Sequence, residues 1–423
     1  MPRLAVLSLL LFILASALDA DYELIFVNTI WRHGDRAPQI VLPAGLDKLT
    51  DDDWKQGGGG LGQLTTVGIK QQFKLGRLLR KRYIDSGFLS ARYRANEIYV
   101  RSTDYNRTLV SAYSNLNGMY SSQAVNKPGF DFPSSTNWIT NWVPIPVHTV
   151  MPSSGDYEAN GDAHCKRLSQ LRRLALNSSE YLAFNADPQI TAVIDYIDNV
   201  AKTKLDGIDR ALMAETISIE ETHFADFQNV PGRDITEWYP WFYAHGIKDW
   251  MIYMAHKVIL FRDGQANPSG INGIDIRKEA TILRGGEIIN YILSHVTGVL
   301  DCLNPGSKTC GNFFKKLKYF AISAHDVTLT AYLDVLGARL RVIGDANPQY
   351  AAAMATEIYR KKNTGDIFFK VFYNPGEDSD FSPMTTFISG CPIDQDFCPF
   401  SVFESLAKTY DPVDIVKLCN TDL

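Results

Sequence analysis

Two arginines and a histidine crowd around one glycine in the stretch RHGDR, where Arg32, His33 and Arg36 directly follow an apolar run. Cationic side chains this close repel one another unless an anion lies between them. A phosphoryl group suits the position, because its oxygens accept the forked, charge-assisted hydrogen bonds that arginine donates. We therefore expect a local anion site, with phosphate as the anion.

Two further polar groups follow apolar runs much later in the chain. Arg101 lies in NEIYVRSTD, and the pair His325 and Asp326 ends LKYFAISAHD. A neutral His33 held beside a phosphoryl group can attack phosphorus and form a phosphohistidine, which water then hydrolyses. Asp326 can protonate the departing alkoxide and afterwards help to activate water. Such a reaction depends on positioning and charge stabilisation, so we predict neither a metal ion nor a cofactor.

The runs that precede these groups have the composition of buried strands. ELIFVNTIW, NEIYV and LKYFAIS are rich in β-branched and aromatic residues, and helical patterns follow the last two. In open α/β sheets, ligands bind beyond the carboxyl ends of the strands. We therefore predict an α/β fold with a mostly parallel central sheet flanked by helices. At one edge of it, six side chains would meet: Arg32, His33, Arg36, Arg101, His325 and Asp326.

The middle of the chain differs from its two ends in predicted secondary structure. Residues 174–278 lack strand-like runs, favour helices and are rich in aromatic side chains. We predict a helical insertion, or cap domain, at 174–278 between two segments of one α/β catalytic domain, 22–173 and 279–423. Late in the chain, ATEIYRKK and DIFFKVFYN flank Asn363, Thr364 and Gly365, a pattern typical of a hairpin at the edge of the sheet.

The N-terminus predicts export from the cytosol. Residues 1–17 combine Arg3, an apolar run and the small-residue site Ala15-Ser16-Ala17, the features of a signal peptide. A retained membrane anchor is the alternative, but the run is shorter than the roughly 20 apolar residues of a spanning helix. We expect a mature chain without a membrane span.

The cysteines are consistent with an oxidising compartment. Six of them follow the signal peptide, an even number that predicts three disulfides. Short spacings favour Cys302 with Cys310 and Cys391 with Cys398, which leaves Cys165 with Cys419, although six cysteines allow 15 pairings. Asn177, in NSS, is the predicted glycosylation site, whereas Asn106, in NRT, lies too close to Arg101 to be a good acceptor.

Several function classes are excluded by composition and motifs. A formal charge of -5 and a pI of about 5.9 give no basic field for nucleic acid. Gly57, Gly59 and Gly62 match a dinucleotide fingerprint in spacing, but no strand precedes them. The sequence contains no C-x-x-C pair and no H-E-x-x-H motif, so it predicts no metal site.

With these residues in view, RHGDRAP resembles the signature of the histidine acid phosphatases. This branch of the histidine phosphatase superfamily includes the prostatic and lysosomal acid phosphatases and the histidine phytases. Further segments resemble the same family in order, and together they cover most of the mature chain: GQLTTVGIKQQFKLGRLLRKRY, VRSTDYNRTLVSA, VPIPVHTV, GGEIINYIL and SAHDVTLT.

The resemblance implies a phosphoglycerate mutase-like fold and a role for each site residue. His33 would be the nucleophile and Asp326 the proton donor, and the phosphate ligands would be Arg32, Arg36, Arg101 and His325. Small phosphomonoesters would be the substrates, in an exported protein that is secreted or delivered to the endolysosomal lumen. A homodimer follows only by analogy.

Alternative functions would share some of these site residues. A phytase or a lysophosphatidate phosphatase would use the same catalytic residues and differ in the walls of the pocket. A catalytically silent phosphate-binding protein would be expected to lack His33 or Asp326, and this chain has both.

Overall fold

Apolar, β-branched runs form the central sheet of the computed structural model, which describes residues 20–423 except 140, 228–231, 233, 267–269, 272, 377 and 378. The predicted signal peptide, residues 1–17, lies outside the described residues. The strands are Tyr22–Arg32 (β1), Ile98–Thr103 (β2), His148–Val150 (β3), Tyr319–Ala324 (β4), Ala353–Lys361 (β5), Ile367–Asn374 (β6), Ser382–Pro383 (β7) and Cys398–Pro399 (β8).

The sheet is mixed, with a parallel half and an antiparallel half. Its order is β3-β2-β4-β1-β5-β6-β7, and β8 also pairs with β6. Strands β3, β2, β4 and β1 run parallel, as predicted, whereas β5 is antiparallel to β1 and the later pairs are antiparallel too. The predicted hairpin is β5 and β6, but β5 lies beside β1 inside the sheet and not at its edge.

The register of the parallel strands decides which residues reach the carboxyl edge. Arg32, the last residue of β1, pairs with Ala324, the last residue of β4. Arg101 pairs with Ile322, two residues further back, and β2 continues past it to Thr103. Arg101 is therefore an interior residue of its strand.

Helices cover both faces of the sheet and build the region beside it. Aliphatic and aromatic side chains of the strands are almost fully buried against them, including Phe26, Val100 and Phe320. The helices are Thr66–Leu79 (α1), Asn106–Tyr120 (α2), Lys166–Ala175 (α3), Ser179–Asn185 (α4), Pro188–Ala201 (α5), Gly207–His223 (α6), Ile235–Trp238 (α7), Pro240–Tyr243 (α8), Ile247–Arg262 (α9), Ile276–Thr281 (α10), Glu287–Leu303 (α11), Asp326–Val335 (α12), Arg339–Val342 (α13), Phe400–Thr409 (α14) and Ile415–Asn420 (α15).

The described part of the predicted insertion is helical, from α4 to α9. It has a hydrophobic cluster of its own, in which Ile197, Ile217 and Phe242 are fully buried. Residues of the loop after β1, such as Leu42 and Trp54, join this cluster. The helical region therefore packs directly on the chain that follows the RHGDR motif, while the domain boundaries at 174 and 278 stay a prediction.

The cysteine pairs are those that spacing favoured. Cys302 bonds Cys310, Cys391 bonds Cys398, and Cys165 bonds Cys419 across 254 positions of sequence. Asn177 is exposed, as a glycosylation acceptor must be, and its modification stays a prediction. Within the described residues, no helix is both long enough and apolar enough to cross a membrane.

Candidate active site

The loop of residues 32–36 is held by backbone hydrogen bonds from two neighbouring elements. The His33 amide donates to the carbonyl of Ala324, at 2.9 Å, and the His33 carbonyl accepts from the amide of Ala351, at 3.1 Å. Arg32 donates its own amide to Ala352, at 2.9 Å. The motif is thus a continuation of β1 that is fixed from both sides.

A close approach of two backbones explains the glycine in the motif. A Cβ atom placed on Gly34 would lie 2.3 Å from the carbonyl oxygen of Gly68 on α1, and a Cβ on Gly68 would lie 2.1 Å from the carbonyl oxygen of Asp35. Only glycine at both positions lets helix α1 and the loop touch in this way. The side chains on either side of Gly34 are consequently held rigidly.

His33 is buried, and a hydrogen bond fixes which of its ring nitrogens carries the proton. Its Nδ1 lies 2.8 Å from the carbonyl oxygen of Gly34, which can only accept, so Nδ1 carries the proton and Nε2 the lone pair. Burial, together with the charges of Arg32, His325 and Arg36, lowers the pKa of His33 well below its ordinary value. The imidazole is therefore neutral even in acidic solution, as a nucleophile must be.

Two arginines of the loop are tethered to carboxylates of other elements. Arg32 Nη2 lies 3.0 Å from Asp326 Oδ2, and its guanidinium stacks on the ring of Tyr350 at 4.2 Å. Arg36 Nη2 lies 2.7 Å from Oε1 of Glu215, a residue of helix α6. These contacts hold the two guanidinium groups beside His33.

The third arginine of the site is Arg107, and Arg101 is absent from the site. Arg101 forms ion pairs with Asp156 and Glu158 and lies over the ring of Tyr291, away from the cavity that Arg32 and His33 line. The structure therefore contradicts the expectation for Arg101, because β2 extends two residues beyond it. Arg107, in the first turn of α2, lines the cavity instead.

Arg107 is a cation without a close carboxylate among the described residues. Burial and the charge of Arg36 lower its pKa to about 10, and its guanidinium lies 4.8 Å from the ring centre of Tyr105. Sequence reasoning missed this residue, although the turn between NEIYVRST and the following helical pattern was a usable signal.

His325 and Asp326 follow β4 as predicted. His325 occupies the N-cap position of helix α12 without a side-chain capping bond, and its Nε2 lies 3.0 Å from the hydroxyl of Thr103. Burial, followed by the charge of Arg107, lowers the pKa of His325 to about 3, so it is neutral. Burial alone would raise the pKa of Asp326, but Arg32 and His325 outweigh it and the pKa falls below its ordinary value.

The cavity in front of these groups has a volume of about 400 Å³ and two unlike walls. One wall carries the charged groups described above. Helices α6 and α9 form the other, with mostly aliphatic side chains and the polar side chains of Ser218 and His256. Arg262 also lines the cavity, but its Nη2 is 2.8 Å from Asp162, so its charge is already compensated. The aliphatic residues of these two helices are Ile208, Ala211, Leu212, Ala214, Ile252, Ala255 and Ile259.

The structure thus brings five of the six predicted residues together: Arg32, His33, Arg36, His325 and Asp326. Glu215 and Arg107 complete the charged wall. Within the part of the chain that the structure describes, no group of three His, Cys, Asp or Glu side chains is arranged to hold a metal ion.

Comparisons with known proteins give a consistent result. The model of the family described as histidine phosphatase superfamily (branch 2) matches residues 23–374. The chain is 30% identical over 425 residues to the lysosomal acid phosphatase of Xenopus laevis, covering 99% of this chain and 84% of that protein. It is 29% identical over 426 residues to the prostatic acid phosphatase of Homo sapiens, covering 100% and 95%.

A solved structure shares the fold. The phytase from Citrobacter braakii superimposes with a TM-score of 0.61 at 14% identity, covering 93% of this chain and 99% of that one. Similarity at this identity concerns the fold alone.

Proposed function

The chain belongs to the histidine phosphatase superfamily (branch 2), and we propose that it is an acid phosphatase that hydrolyses phosphate monoesters through a phosphohistidine at His33. The observation that carries this proposal is the neutral, buried imidazole of His33 with its Nε2 lone pair, surrounded by the guanidinium groups of Arg32, Arg36 and Arg107. Attack on a phosphate dianion requires a neutral nucleophile and positively charged surroundings.

Three arginines and one histidine form a cradle that binds the non-bridging oxygens of the phosphoryl group. Arg32, Arg36 and Arg107 supply positive charge, and His325, which is neutral, supplies a hydrogen bond. Arginines that the protein already holds in place stabilise the charge of a transferring phosphoryl group without reorganising during the reaction.

Two displacements complete the reaction. His33 Nε2 attacks phosphorus, the ester P–O bond breaks, and its electron pair leaves with the alcohol oxygen, which takes a proton from Asp326. Water then attacks phosphorus and gives a proton back to the Asp326 carboxylate, the P–N bond breaks, and its pair returns to Nε2. Both residues end as they began.

Asp326 must be protonated for the first displacement. Its pKa is low beside Arg32, but a phosphate dianion bound to the same arginine offsets that positive charge and raises the pKa of the neighbouring carboxyl. The substrate thereby promotes protonation of its own acid catalyst, and the reaction favours acidic solution.

The cavity favours a monoester with an apolar alcohol. Helices α6 and α9 contribute aliphatic side chains to the lining, and Arg262, the arginine of the lining that lies beyond Arg32, Arg36 and Arg107, is bound by Asp162. An aryl group or the acyl chain of a lysophosphatidate can bury apolar surface there, at about 25 cal/mol per Å². Inositol hexakisphosphate would bring further phosphate groups to a lining whose remaining arginine among the described residues, Arg262, is already paired with Asp162.

Export is proposed from the signal peptide and three disulfides, which persist in oxidising compartments. Either secretion or the endolysosomal lumen fits them. A homodimer rests on analogy with the family.

Trapping of the phosphoenzyme tests the nucleophile. We expect wild type mixed with labelled aryl phosphate and quenched to carry acid-labile label, and His33→Ala to carry none and to lose turnover. His164→Ala, which changes an exposed histidine, is the control. A folded His33→Ala protein that still accumulates acid-labile phosphate would exclude His33 as the nucleophile. A wild type with no activity on any monoester would support the silent binding protein.

A further inference from the structure

Helix α6 contacts the 32–36 loop at two points. Near its middle, Glu215 Oε1 accepts from Arg36 Nη2 at 2.7 Å and lies 3.9 Å from Arg32 Nη2. At its C-terminal end, His223 Nε2 lies 2.6 Å from Asp35 Oδ2. Residues eight apart lie on the same side of a helix about two turns apart. One face of α6 therefore follows the loop.

The second contact is part of a buried network. His223 is 1% exposed, and its other nitrogen, Nδ1, lies 3.0 Å from Asp226. The hydroxyl of Thr65, the residue that caps α1, donates to the same Asp35 oxygen at 2.5 Å. Helices α1 and α6 thus converge on one carboxylate of the loop, which fixes the distance between α6 and the arginines.

Arg36 is held in a way that leaves donors for an anion. Its Nη1 donates to the carbonyl of Ala37 at 3.0 Å, and its Nη2 donates to Glu215. Its buried Nε has no hydrogen-bond partner among the described residues. A guanidinium has five N–H donors, so this pattern orients the group and leaves donors unused.

We propose that Glu215 is a positioning residue, which holds the Arg36 guanidinium in its binding orientation from a helix outside the sheet. The assignment rests on the proposed function, because Arg36 matters only as a phosphate ligand. Glu215 acts as a hydrogen-bond acceptor at a fixed place. Its negative charge is not what the site uses, since a carboxylate this close to Arg32 and Arg36 also repels the incoming phosphate.

Three variants separate acceptor position from charge. Glu215→Gln keeps an acceptor at the same distance and removes the charge. Glu215→Asp keeps the charge but shortens the side chain by about 1.5 Å, one C–C bond, and Glu215→Ala removes the acceptor. Glu221→Gln is the matched control, because Glu221 lies on the same helix and pairs with Lys248 at 2.7 Å, away from the cavity.

The expected pattern is measured with an aryl phosphate and with inorganic phosphate as competitive inhibitor. Glu215→Gln should keep kcat within about threefold and bind phosphate as tightly as wild type or more tightly. Glu215→Asp and Glu215→Ala should lose roughly tenfold to a hundredfold in kcat/KM, the range of a hydrogen bond to a charged group, with weaker inhibition by phosphate. Glu221→Gln should match wild type, and unchanged melting temperatures would show that all variants fold.

Other patterns would overturn the proposal. If Glu215→Asp keeps the kcat/KM of wild type and Glu215→Gln does not, the site needs the negative charge and not the position of the acceptor. If Glu215→Ala equals wild type, Glu215 does not position Arg36, and if it binds phosphate more tightly at full kcat, Glu215 opposes the substrate. Equal losses in Glu215→Gln and Glu221→Gln would mean that α6 is only a structural support. Each of these results requires an active wild type, so each is distinct from failure of the proposed function, in which wild type itself is inactive.

Discussion

The protonation states of the charged wall follow from how its members affect one another. Burial is the largest cause that lowers the pKa of His33 and of His325, and the charges of the nearby arginines lower both further, so the two imidazoles are neutral. Burial and then the charge of Arg36 lower the pKa of Arg107 to about 10. An anion that binds here would relieve repulsion among all three arginines, which is the physical basis of the proposed phosphate site.

Arg107 and Arg101 provide a direct test of which arginine binds phosphate. Arg107→Ala should raise KM and the inhibition constant of phosphate roughly tenfold to a hundredfold, the worth of a charge-assisted hydrogen bond. Arg101→Ala should instead reduce the free energy of unfolding by about 3 to 5 kcal/mol, because it leaves the buried carboxyl of Asp156 unpaired. Steady-state kinetics and urea unfolding of both variants measure this. If Arg101→Ala is stable and shows the larger increase in KM, the assignment is reversed.

Asp326 should matter in proportion to how much the leaving group needs a proton. Asp326→Asn should slow kcat for alkyl phosphates by about a hundredfold or more, and for aryl phosphates with acidic alcohols by less than about tenfold. Wild-type activity should fall as pH rises toward neutrality, because the protonated acid is lost. Equal loss for both substrate classes, with no phosphoenzyme in a quench experiment, would mean that Asp326 only holds Arg32.

Most charged side chains of the site lie at the ends of strands and at the start of a helix. Strands β1 and β4 stop together, at Arg32 and Ala324, and the residues that follow them enter the cavity. Strand β2 is followed by a turn and then α2, whose first turn brings in Arg107. Helix α6 contributes from its side, through Glu215. The charged groups of the site thus come from the ends of β1 and β4, the first turn of α2 and the side of α6.

The contact between α6 and the loop should make stability depend on pH through His223. Burial alone would lower its pKa, but Asp35 and Asp226 outweigh burial and the pKa is raised. A raised pKa in the folded state stabilises the protein below the unfolded value of about 6.5 and loses that contribution as pH rises through the folded value. His223→Gln should therefore cost more stability at pH 5 than at pH 8, as measured by urea unfolding.

His256 on α9 is the control, because burial lowers its pKa and the sign is opposite. The contribution of neutral His256 to the free energy of unfolding is present above the unfolded pKa and is lost on acidification. Replacing it with Gln should therefore cost less at pH 5 than at pH 8. A pH-independent cost of His223→Gln would mean that the His223–Asp35 contact is not an ion pair.

At the scale of the whole molecule, one disulfide closes most of the chain. Cys165, next to α3, bonds Cys419 of α15, and the other two pairs close loops of 7 and 8 positions. In the chain-entropy account, stabilisation grows with loop length, to about 5 kcal/mol for the long loop and about 2.5 kcal/mol for a short one.

Replacing both cysteines of one pair with serine compares the loops. The Cys165/Cys419 variant should unfold at clearly lower urea concentration than the Cys391/Cys398 variant, with phosphatase activity at low temperature retained by both. The reverse order of stability would show that packing around Cys391, and not loop closure, dominates.

The sequence by itself determined the parts of this protein that depend on neighbours along the chain. Apolar, β-branched runs specify β1, β2 and β4 because such residues fit a sheet buried on both faces. His33, Asp326 and their flanking arginines were found because a strand end and its following residues are contiguous. The helical character of the middle region and the hairpin of β5 and β6 also follow from local patterns.

Tertiary structure alone decided what depends on register and on contacts between distant residues. Whether β2 ended at Arg101 or Thr103 was set by its pairing with β4 and β3, and that choice replaced Arg101 with Arg107 in the cavity. Glu215 meets Arg36 across 179 positions, and His223 meets Asp35 across 188. No periodicity in the sequence reports such pairs, since each residue satisfies the pattern of its own helix or loop whichever partner it meets.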